Sequence, residues 1–311
     1  MNEPARIILK NCLKINRKDK VLIITDKKRE NIGNKIFNEA CKLCEKVLLI
    51  KIPVAKHNGE EPPKKVAELM KKFDFIIAPT TCSLTHTKAS QNAAKKGVII
   101  ATLPGITKGI MEQSINLDYR KLKNYTSKIY ELVKKSKKIK ITTKSGTSLE
   151  FLTKNRKWIE DDGDFTKNKI GNLPAGEVFI APYEGTCNGI LVIDWAKNDN
   201  KTYAKKGVVL KIKKGKVVSI SDEKCVLGDY FKKIKNAKNI AEFGMGTNYK
   251  AKLIGNILQD EKVLGTCHIA FGNNTSIGGK VYSELHFDTI LINPTVYIGD
   301  KVLMQEGELI I

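Results

Sequence analysis

The sequence contains little arginine and little histidine for so basic a chain. Its formal net charge is +22, yet only five of its 55 basic residues are arginines, and it has four histidines. Contacts to phosphates and base edges favour arginine, and the lysines are spread along the chain without interleaved aromatic residues. We therefore attribute the charge to a lysine-rich surface and do not expect a nucleic-acid partner. A non-catalytic, basic nucleic-acid-binding protein remains an alternative.

Long apolar runs are also missing. The run Val-Leu-Ile-Ile from residue 21 is far shorter than the roughly 20 residues that span a bilayer. The first residues, Met-Asn-Glu-Pro, have neither the basic nor the apolar region of a signal peptide. The seven cysteines show no disulfide framework, and Cys41 and Cys44 have no second pair nearby to complete a zinc site. We expect a cytoplasmic protein with reduced thiols and no membrane contact.

Strand and helix patterns alternate over residues 1 to about 110. Apolar runs typical of buried strands occupy residues 20–25, 46–52, 73–78 and 97–102, and helix patterns separate them. This alternation predicts an α/β domain with a parallel sheet covered on both faces. No glycine-rich loop of the dinucleotide or P-loop type follows the first strand, so nothing supports a nucleotide site there.

The pattern changes after a lysine-rich predicted helix at residues 116–138. Short strand patterns then dominate, and they include a predicted hairpin whose turn, at residues 213–216, uses Gly215 for a positive φ. We therefore predict two domains. Residues 1–137 form the α/β domain, and residues 138–311 form a β-rich α+β domain that binds metal and carries out catalysis.

Histidine and acidic residues cluster near the end of the chain. In a strand, residues two apart share a face, so His286 and Asp288 project together, about 6.5 to 7 Å apart at the backbone. Glu284 shares that face. Imidazole with carboxylate is the ligand set expected of zinc, cobalt, manganese or iron sites. His286 and Asp288 are therefore candidate metal ligands, with Glu284 as a neighbour.

Three further polar residues interrupt apolar strand patterns. Glu177 opens Glu-Val-Phe-Ile-Ala, Glu242 lies in Ile-Ala-Glu-Phe-Gly, and His268 lies in Thr-Cys-His-Ile-Ala. Because a buried carboxylate without a partner is costly, several in one sheet region indicate neutralisation by a cation. These three residues join the candidate metal ligands.

The other two histidines carry weaker signals. His86 follows a hydroxyl-rich segment at the end of a predicted parallel strand, where ligands approach such sheets. It could donate or accept a proton, or simply begin the next helix. His57 lies in the loop Lys-His-Asn-Gly-Glu-Glu-Pro-Pro, which is typical of an exposed segment.

Four segments, in this order, resemble the thermophilic metallo-aminopeptidases of the T, S and II types. They are Asn-Leu-Pro-Ala-Gly-Glu-Val-Phe-Ile-Ala-Pro from residue 172, Ala-Glu-Phe-Gly-Met-Gly-Thr-Asn from residue 241, His-Ile-Ala-Phe-Gly from residue 268 and His-Phe-Asp from residue 286. The resemblance covers most of the chain. It implies two adjacent divalent ions (zinc, cobalt or manganese), held by residues matching Glu177, Glu242, His268, His286 and Asp288.

The same resemblance implies a homodimeric hydrolase that removes N-terminal amino acids from peptides. Two cations sharing carboxylates can polarise the scissile carbonyl and lower the pKa of a bridging water. Glu177 or Glu242 would act as the catalytic base that accepts the proton of that water. Glu242 is our choice for the bridging ligand. The expected partner is a peptide or another small-molecule substrate.

Two differences from the aminopeptidases leave a second reaction as an alternative. The aminopeptidases carry a tyrosine shortly after the first metal-binding histidine, whereas Gly-Asn-Asn-Thr-Ser-Ile-Gly-Gly follows here from residue 272, and the next tyrosine is Tyr282. The chain is also about a hundred residues shorter. The resemblance extends to a mononuclear Fe(II) dioxygenase that opens a dihydroxypyridine ring.

In that alternative three residues hold the iron and leave open positions. His268, His286 and Asp288 would form the triad, and His86 would serve as a base. A triad does not need Glu177 or Glu242, so their presence favours two metals and the hydrolase.

Overall fold

The computed structural model of the protein describes residues 3–166, 169–198 and 201–310. Met1 and Asn2, the start of the stretch examined for a signal peptide, lie outside these ranges. Every helix within the described ranges is too short or too polar to cross a bilayer.

Helices and short strands alternate at first, and strands dominate later. The α-helices are α1 (Glu3–Ile7), α2 (Glu30–Cys41), α3 (Lys64–Met70), α4 (Lys88–Lys95), α5 (Lys108–Ile110), α6 (Tyr119–Val133), α7 (Val226–Lys233) and α8 (Ile257–Asp260). Short π-helices follow α1 and α5 directly, at Ile8–Cys12 and Met111–Ile115, and a 3-10 helix spans Thr275–Ile277. The strands are β1 (Lys20–Asp26), β2 (Lys46–Ile52), β3 (Phe75–Ala78), β4 (Ile99–Thr102), β5 (Lys138–Thr142), β6 (Ser148–Leu152), β7 (Ile159–Asp161), β8 (Ile170–Asn172), β9 (Glu177–Ile180), β10 (Asn188–Val192), β11 (Lys197–Asn198), β12 (Lys201–Thr202), β13 (Val209–Lys213), β14 (Lys216–Ile220), β15 (Ile240–Gly246), β16 (Thr266–Gly272), β17 (His286–Ile292), β18 (Thr295–Ile298), β19 (Lys301–Gln305) and β20 (Glu308–Leu309).

The chain divides into two compact units. The first comprises Met1–Tyr119 and Gly163–Ala175, and the second comprises Arg120–Asp162 and Gly176–Ile311. The boundary predicted after residue 137 lies within the second unit. Most of α6 belongs to that unit, where its apolar side packs into the core, whereas the segment carrying β8 returns to the first unit.

The first unit is built on a parallel sheet with the strand order β2-β1-β3-β4-β8. Residues Val21 to Ile24 of β1 are fully buried, as expected for a parallel strand covered on both faces. Thr87 is the N-cap residue of helix α4, and its side chain accepts a hydrogen bond from the backbone nitrogen of Ser90. The predicted α/β architecture is confirmed, and β8 is an added edge strand that apolar patterning did not indicate.

The second unit contains two larger antiparallel sheets. One has the order β14-β13-β10-β6-β5-β18-β19-β20, and the other has the order β17-β16-β15-β9-β7. Phe243 of β15 packs against Phe151 of β6 and Trp158, with ring centroids 5.4 and 6.1 Å apart. The predicted hairpin joins β13 to β14, and both Lys214 and Gly215 have positive φ, as its turn requires.

Candidate metal centre

The five-stranded sheet of the second unit carries polar residues on one face. Its register pairs Glu242 with Ala270 and Ala270 with Asp288, so these positions form a row across β15, β16 and β17. His268 and His286 each precede a member of this row by two residues and therefore share its face. The alternating residues on the other face enter the hydrophobic core, namely Phe243, Met245, Cys267, Ile269, Phe271, Phe287 and Leu291.

Two glycines on the polar face, Gly244 and Gly246, leave room for the imidazole of His268 and for the backbone of Val263. Gly246 pairs with Glu177, the first residue of β9, which brings Glu177 to this face. Gly244 pairs with His268, and a Cβ at position 244 would lie 2.1 Å from Nε2 of that imidazole. A Cβ on Gly246 would lie 2.1 Å from the backbone oxygen of Val263. The Gly-Met-Gly segment is therefore explained by two close approaches.

Glu242 lies between the two histidines. Its Oε1 is 3.4 Å from Nε2 of His268, and its Oε2 is 3.5 Å from Nε2 of His286. Nε2 of His286 also lies 3.7 Å from Oδ1 of Asp288, and Nε2 of His268 lies 3.4 Å from Oε2 of Glu177. The structure thus brings all five predicted ligand residues into one connected cluster.

A backbone contact orients the ring of His286. Its Nδ1 lies 2.8 Å from the backbone oxygen of Asn273, so Nδ1 carries the donated hydrogen. In the neutral ring this leaves Nε2 unprotonated on the side of Glu242 and Asp288, with its lone pair available to a cation, as in many metal-ligating histidines. Asn273 belongs to the loop in which the aminopeptidase tyrosine is missing.

A buried lysine joins the cluster. Nζ of Lys262 lies 2.5 Å from Oε1 of Glu177 and 2.7 Å from Oε1 of Glu261, and only 1% of Lys262 is exposed. Glu177 therefore has one oxygen on an ammonium group, while its other oxygen faces His268. Sequence reasoning missed Lys262, because it is one of fifty lysines (55 basic residues less five arginines) and lies outside any strand.

Burial and neighbouring carboxylates act in opposite directions on the histidines. Burial lowers the pKa of His268, but its hydrogen bond to Glu242 and the charges of Glu177 and Asp288 raise that pKa to about 9. Burial likewise opposes the charged form of His286, and the charges of Asp288 and Glu242 outweigh burial and raise its pKa. Without a metal, the carboxylates therefore favour protonated imidazoles.

The neighbouring lysine and glutamate respond differently to burial. Burial raises the pKa of Glu261 to about 8, against the lowering effect of Lys262. Burial lowers the pKa of Lys262, but the charges of Glu177 and Glu261 raise it well above its usual value. Lys262 is therefore a permanent cation beside Glu177.

The cluster fits a divalent metal ion. Ligand atoms of Glu177, Glu242 and His268 lie within 4.8 Å of one another. Nitrogen-to-oxygen distances of 3.4 to 3.7 Å, including that of the hydrogen bond between His268 and Glu242, are longer than usual for hydrogen bonds. They are close to the spacing of about 3.4 Å between ligands of a tetrahedral ion with bonds of about 2.1 Å. Oε2 of Glu177 is buried and has no hydrogen-bond donor among the described residues. A cation would satisfy it.

The other residues singled out from the sequence do not add to the cluster. His57 and His86 belong to the first unit, and both are exposed. Glu284 precedes β17 and is exposed. Cys41 and Cys44 are free thiols.

Comparison with known proteins identifies the family. The family model described as "NicX: 2,5-dihydroxypyridine 5,6-dioxygenase" matches residues 6–311. The chain belongs to this family. A curated relative, the 2,5-dihydroxypyridine 5,6-dioxygenase of Pseudomonas putida KT2440, is 28% identical over 152 residues, or 44% of this chain. That match spans 43% of the relative's length.

Two solved structures share the fold. The 2,5-dihydroxypyridine dioxygenase from Pseudomonas putida KT2440 has a TM-score of 0.84 and 19% identity, with 100% of this chain and 98% of that chain covered. Wild-type AmpT from Thermus thermophilus has a TM-score of 0.70 and 15% identity, with 99% of both chains covered. These similarities show the fold, and they confirm the predicted order of an α/β part and a β-rich part.

The matching family corresponds to the alternative that we drew from the sequence motifs and not to our main prediction. We predicted a metallo-aminopeptidase, whereas the matching family is one of dioxygenases, and the likeness to AmpT concerns the fold. The physical reason lies in the motifs. Gly244 and Gly246 are required by the close approach of His268 and Val263, whichever reaction the site performs. The motifs therefore identify the scaffold and do not distinguish a hydrolase with zinc or cobalt from an iron enzyme.

Proposed function

We propose that the protein is an Fe(II)-dependent dioxygenase that opens the ring of a dihydroxypyridine. The observation that carries this proposal is the family match over residues 6–311, which includes both histidine strands. His268, His286 and Asp288 supply the two imidazoles and one carboxylate that suit a non-haem iron site with open positions. In this reaction the bond between ring carbons 5 and 6 breaks, and both atoms of O₂ enter the product.

The chain's own residues would prepare the substrate for this reaction. Bound Fe(II) would supply the redox chemistry that makes O₂ reactive towards a closed-shell ring. Glu177, held through one oxygen by Lys262, points its other oxygen towards His268 and would accept the proton of a substrate hydroxyl. Asn273 keeps Nε2 of His286 directed at the cluster.

Oxygen uptake tests the proposal. Metal-free protein is reconstituted with Fe(II) under argon, mixed with 2,5-dihydroxypyridine and exposed to oxygenated buffer. We expect one O₂ consumed per substrate, together with loss of the aromatic absorbance. Asp288→Ala should abolish both changes, and Asp300→Ala, a matched control at an exposed aspartate, should not. Absence of uptake with several hydroxylated pyridines, despite bound iron, would contradict the proposal.

A two-metal aminopeptidase is a second candidate, and the position of Glu242 favours it. The two oxygens of this carboxylate face different histidines at 3.4 and 3.5 Å, as a ligand shared by two ions would. Release of nitroaniline from aminoacyl-nitroanilides by the zinc, cobalt or manganese form would support hydrolysis. The homodimer implied by the aminopeptidase resemblance is likewise a proposal, which light scattering on the purified protein tests.

A further inference from the structure

Trp195 lies beside the metal cluster on the polar face of the five-stranded sheet. Its backbone pairs with Ile290 of β17, and the nitrogen of each residue donates to the oxygen of the other, at 3.2 and 2.8 Å. Directly paired residues share a face of the sheet, and Ile290 is in turn paired with His268. Asp288 is the diagonal neighbour of Trp195 across this pair, roughly 7 to 8 Å away, a separation that an aromatic side chain can bridge.

The indole of Trp195 lies outside the hydrophobic core. The next residue, Ala196, enters the core of the second unit, whereas Trp195 projects from the opposite side of the chain. Trp195 is half-buried, and it is not among the core residues within the described ranges. The other tryptophan, Trp158, is 2% exposed and belongs to that core. Trp195 therefore presents an aromatic surface on the face that carries the metal cluster.

A hydrogen bond fixes the orientation of this indole. Its Nε1 donates to Oδ2 of buried Asp260 at 2.8 Å. The carboxylate of Asp260 also accepts from the backbone nitrogens of Ile254 and Gly255, at 2.8 and 3.0 Å, and is itself held in place. The ring is thus oriented before any ligand arrives, which reduces the entropy lost on binding.

A lysine adds positive charge beside the indole. Nζ of Lys197 lies 4.5 Å from the centroid of the Trp195 ring, within the range of a cation–π contact. Lys197 begins β11 and is half-buried. The pair offers an aromatic surface together with an ammonium group. A hydroxylated pyridine has the matching features, namely a flat ring and hydroxyl oxygens that accept hydrogen bonds.

We propose that Trp195 and Lys197 bind the aromatic substrate. The indole packs against the pyridine ring, and the ammonium donates a hydrogen bond to a ring hydroxyl or its anion. Aromatic pairs adopt offset or edge-to-face geometry, so the substrate ring and the ammonium can share the indole. The inference names substrate-binding residues for the proposed function and rests on it. A ring held at Trp195 lies next to Asp288 and therefore next to the metal cluster.

Binding of 2,5-dihydroxypyridine under argon tests this role without turnover. Chelator-treated protein is loaded with redox-inert Zn(II), and calorimetry gives the dissociation constant for the pyridine. We expect Trp195→Leu to raise this constant at least roughly tenfold, an effect typical of losing an aromatic stacking partner. Trp195→Phe keeps a ring and should stay within about threefold. Affinity for Zn(II) should be unchanged in both variants, whereas a residue that only supports the fold would change it as well.

Lys197→Met tests the ammonium, and Tyr297→Leu is the matched control. Loss of a charged hydrogen bond at Lys197 should raise the dissociation constant roughly tenfold. Tyr297 is half-buried in β18 of the eight-stranded sheet, and Nζ of Lys140 lies 5.7 Å from its ring centroid. Tyr297→Leu therefore removes a similar aromatic–lysine pair and should bind the pyridine normally. An unchanged constant in folded Trp195→Leu, or an equal increase in Tyr297→Leu, would overturn the inference.

Fluorescence provides a second measurement that leaves Trp195 intact. The chain has two tryptophans, so Trp158→Phe leaves Trp195 as the only one. Its emission, corrected for light absorbed by the ligand, should fall as 2,5-dihydroxypyridine binds, and constant emission on binding would overturn the inference. Binding that depends on Trp195 without oxygen uptake would leave this inference standing and remove the proposed reaction. Oxygen uptake with an unchanged KM in Trp195→Leu would do the reverse.

Discussion

Gly244 and His268 face each other across β15 and β16, and the imidazole of His268 occupies the space that a side chain at residue 244 would need. A Cβ there would lie 2.1 Å from Nε2 of His268. Gly244→Ala should therefore displace the ring or the strand. We expect the free energy of unfolding to fall by about 1 to 3 kcal/mol and the affinity for Co(II) to fall at least about tenfold, since ligand placement sets affinity. Urea denaturation and metal titration measure the two effects.

Gly109→Ala is the matched control for that variant. Gly109 is exposed in α5, its φ is not positive, and the nearest atom to an added Cβ is 3.9 Å away. The change should leave stability within about 1 kcal/mol of the unsubstituted protein. Equal changes in the free energy of unfolding for Gly109→Ala and Gly244→Ala would show that the imidazole of His268 does not restrict the side chain at residue 244.

Glu242→Gln should weaken metal binding strongly. The carboxylate faces both histidines, and the amide would supply neither the charge nor the second anionic oxygen. We expect the dissociation constant for Co(II) to rise by roughly 100-fold or more, above the effect usual for residues that only support ligands. Calorimetry measures it. Glu150→Gln, at an exposed carboxylate paired with Lys138, is the control and should bind Co(II) with an unchanged dissociation constant. An unchanged dissociation constant in Glu242→Gln would show that Glu242 is not a ligand of the centre.

Metal binding should release protons. In the metal-free protein the pKa of His268 is about 9 and that of His286 is raised, whereas a metal ligand must be a neutral imidazole. At pH 7.5 binding should therefore release about one proton from His268, and affinity should rise with pH up to about 9. Calorimetry in buffers of different ionisation enthalpy counts the protons. Zero protons released would contradict protonated imidazoles in the cluster.

The same pKa predicts how the stability of the metal-free protein depends on pH. The folded-state pKa of His268 lies above its usual value of 6.5, so its charged form stabilises the fold below about pH 6.5. That contribution is lost as pH rises through about 9. Melting temperatures of chelator-treated protein between pH 6 and 10 should decrease through this window. His268→Gln should lose less stability over the same window, and an identical decrease would assign it to other groups.

Phe243 supports the cluster from the opposite face of β15. Its ring is fully buried beside Phe151 and Trp158. Phe243→Ala should lower the free energy of unfolding by about 3 to 5 kcal/mol, because it leaves a cavity in the core. Urea denaturation followed by tryptophan fluorescence reports the change. Val218→Ala, at an exposed position in β14, should stay within about 0.5 kcal/mol. A similarly small effect at Phe243 would contradict its place in the core.

The sequence indicated residues that the structure brings into the cluster, because strand alternation is a local property. Glu177, Glu242 and His268 each interrupt an apolar strand, and period-two alternation then places them away from the core. The alternation does not reveal which strands are neighbours. That His268 and Glu242 lie together depends on the pairing of β15 with β16 and on a register shift after Ile240, which nonlocal packing determines.

The burial of Lys262 and the presence of strand β8 could not be predicted from the sequence. Lys262 is buried only because α8 and the backbone of Asn248 hold it beside Glu177, and its sequence neighbourhood reads as an ordinary polar turn. Strand β8 has three residues, Ile-Gly-Asn, and pairs with β4 about seventy residues earlier in the chain. Neither feature has a local pattern that separates it from a loop.

Anomalous diffraction from crystals loaded with Fe(II) or Co(II) tests the metal centre most directly. The expected result is one peak per chain at the metal's absorption edge, within bonding distance of Glu242, His268, His286 and Asp288. No peak at this cluster, or two peaks per chain, would contradict the account.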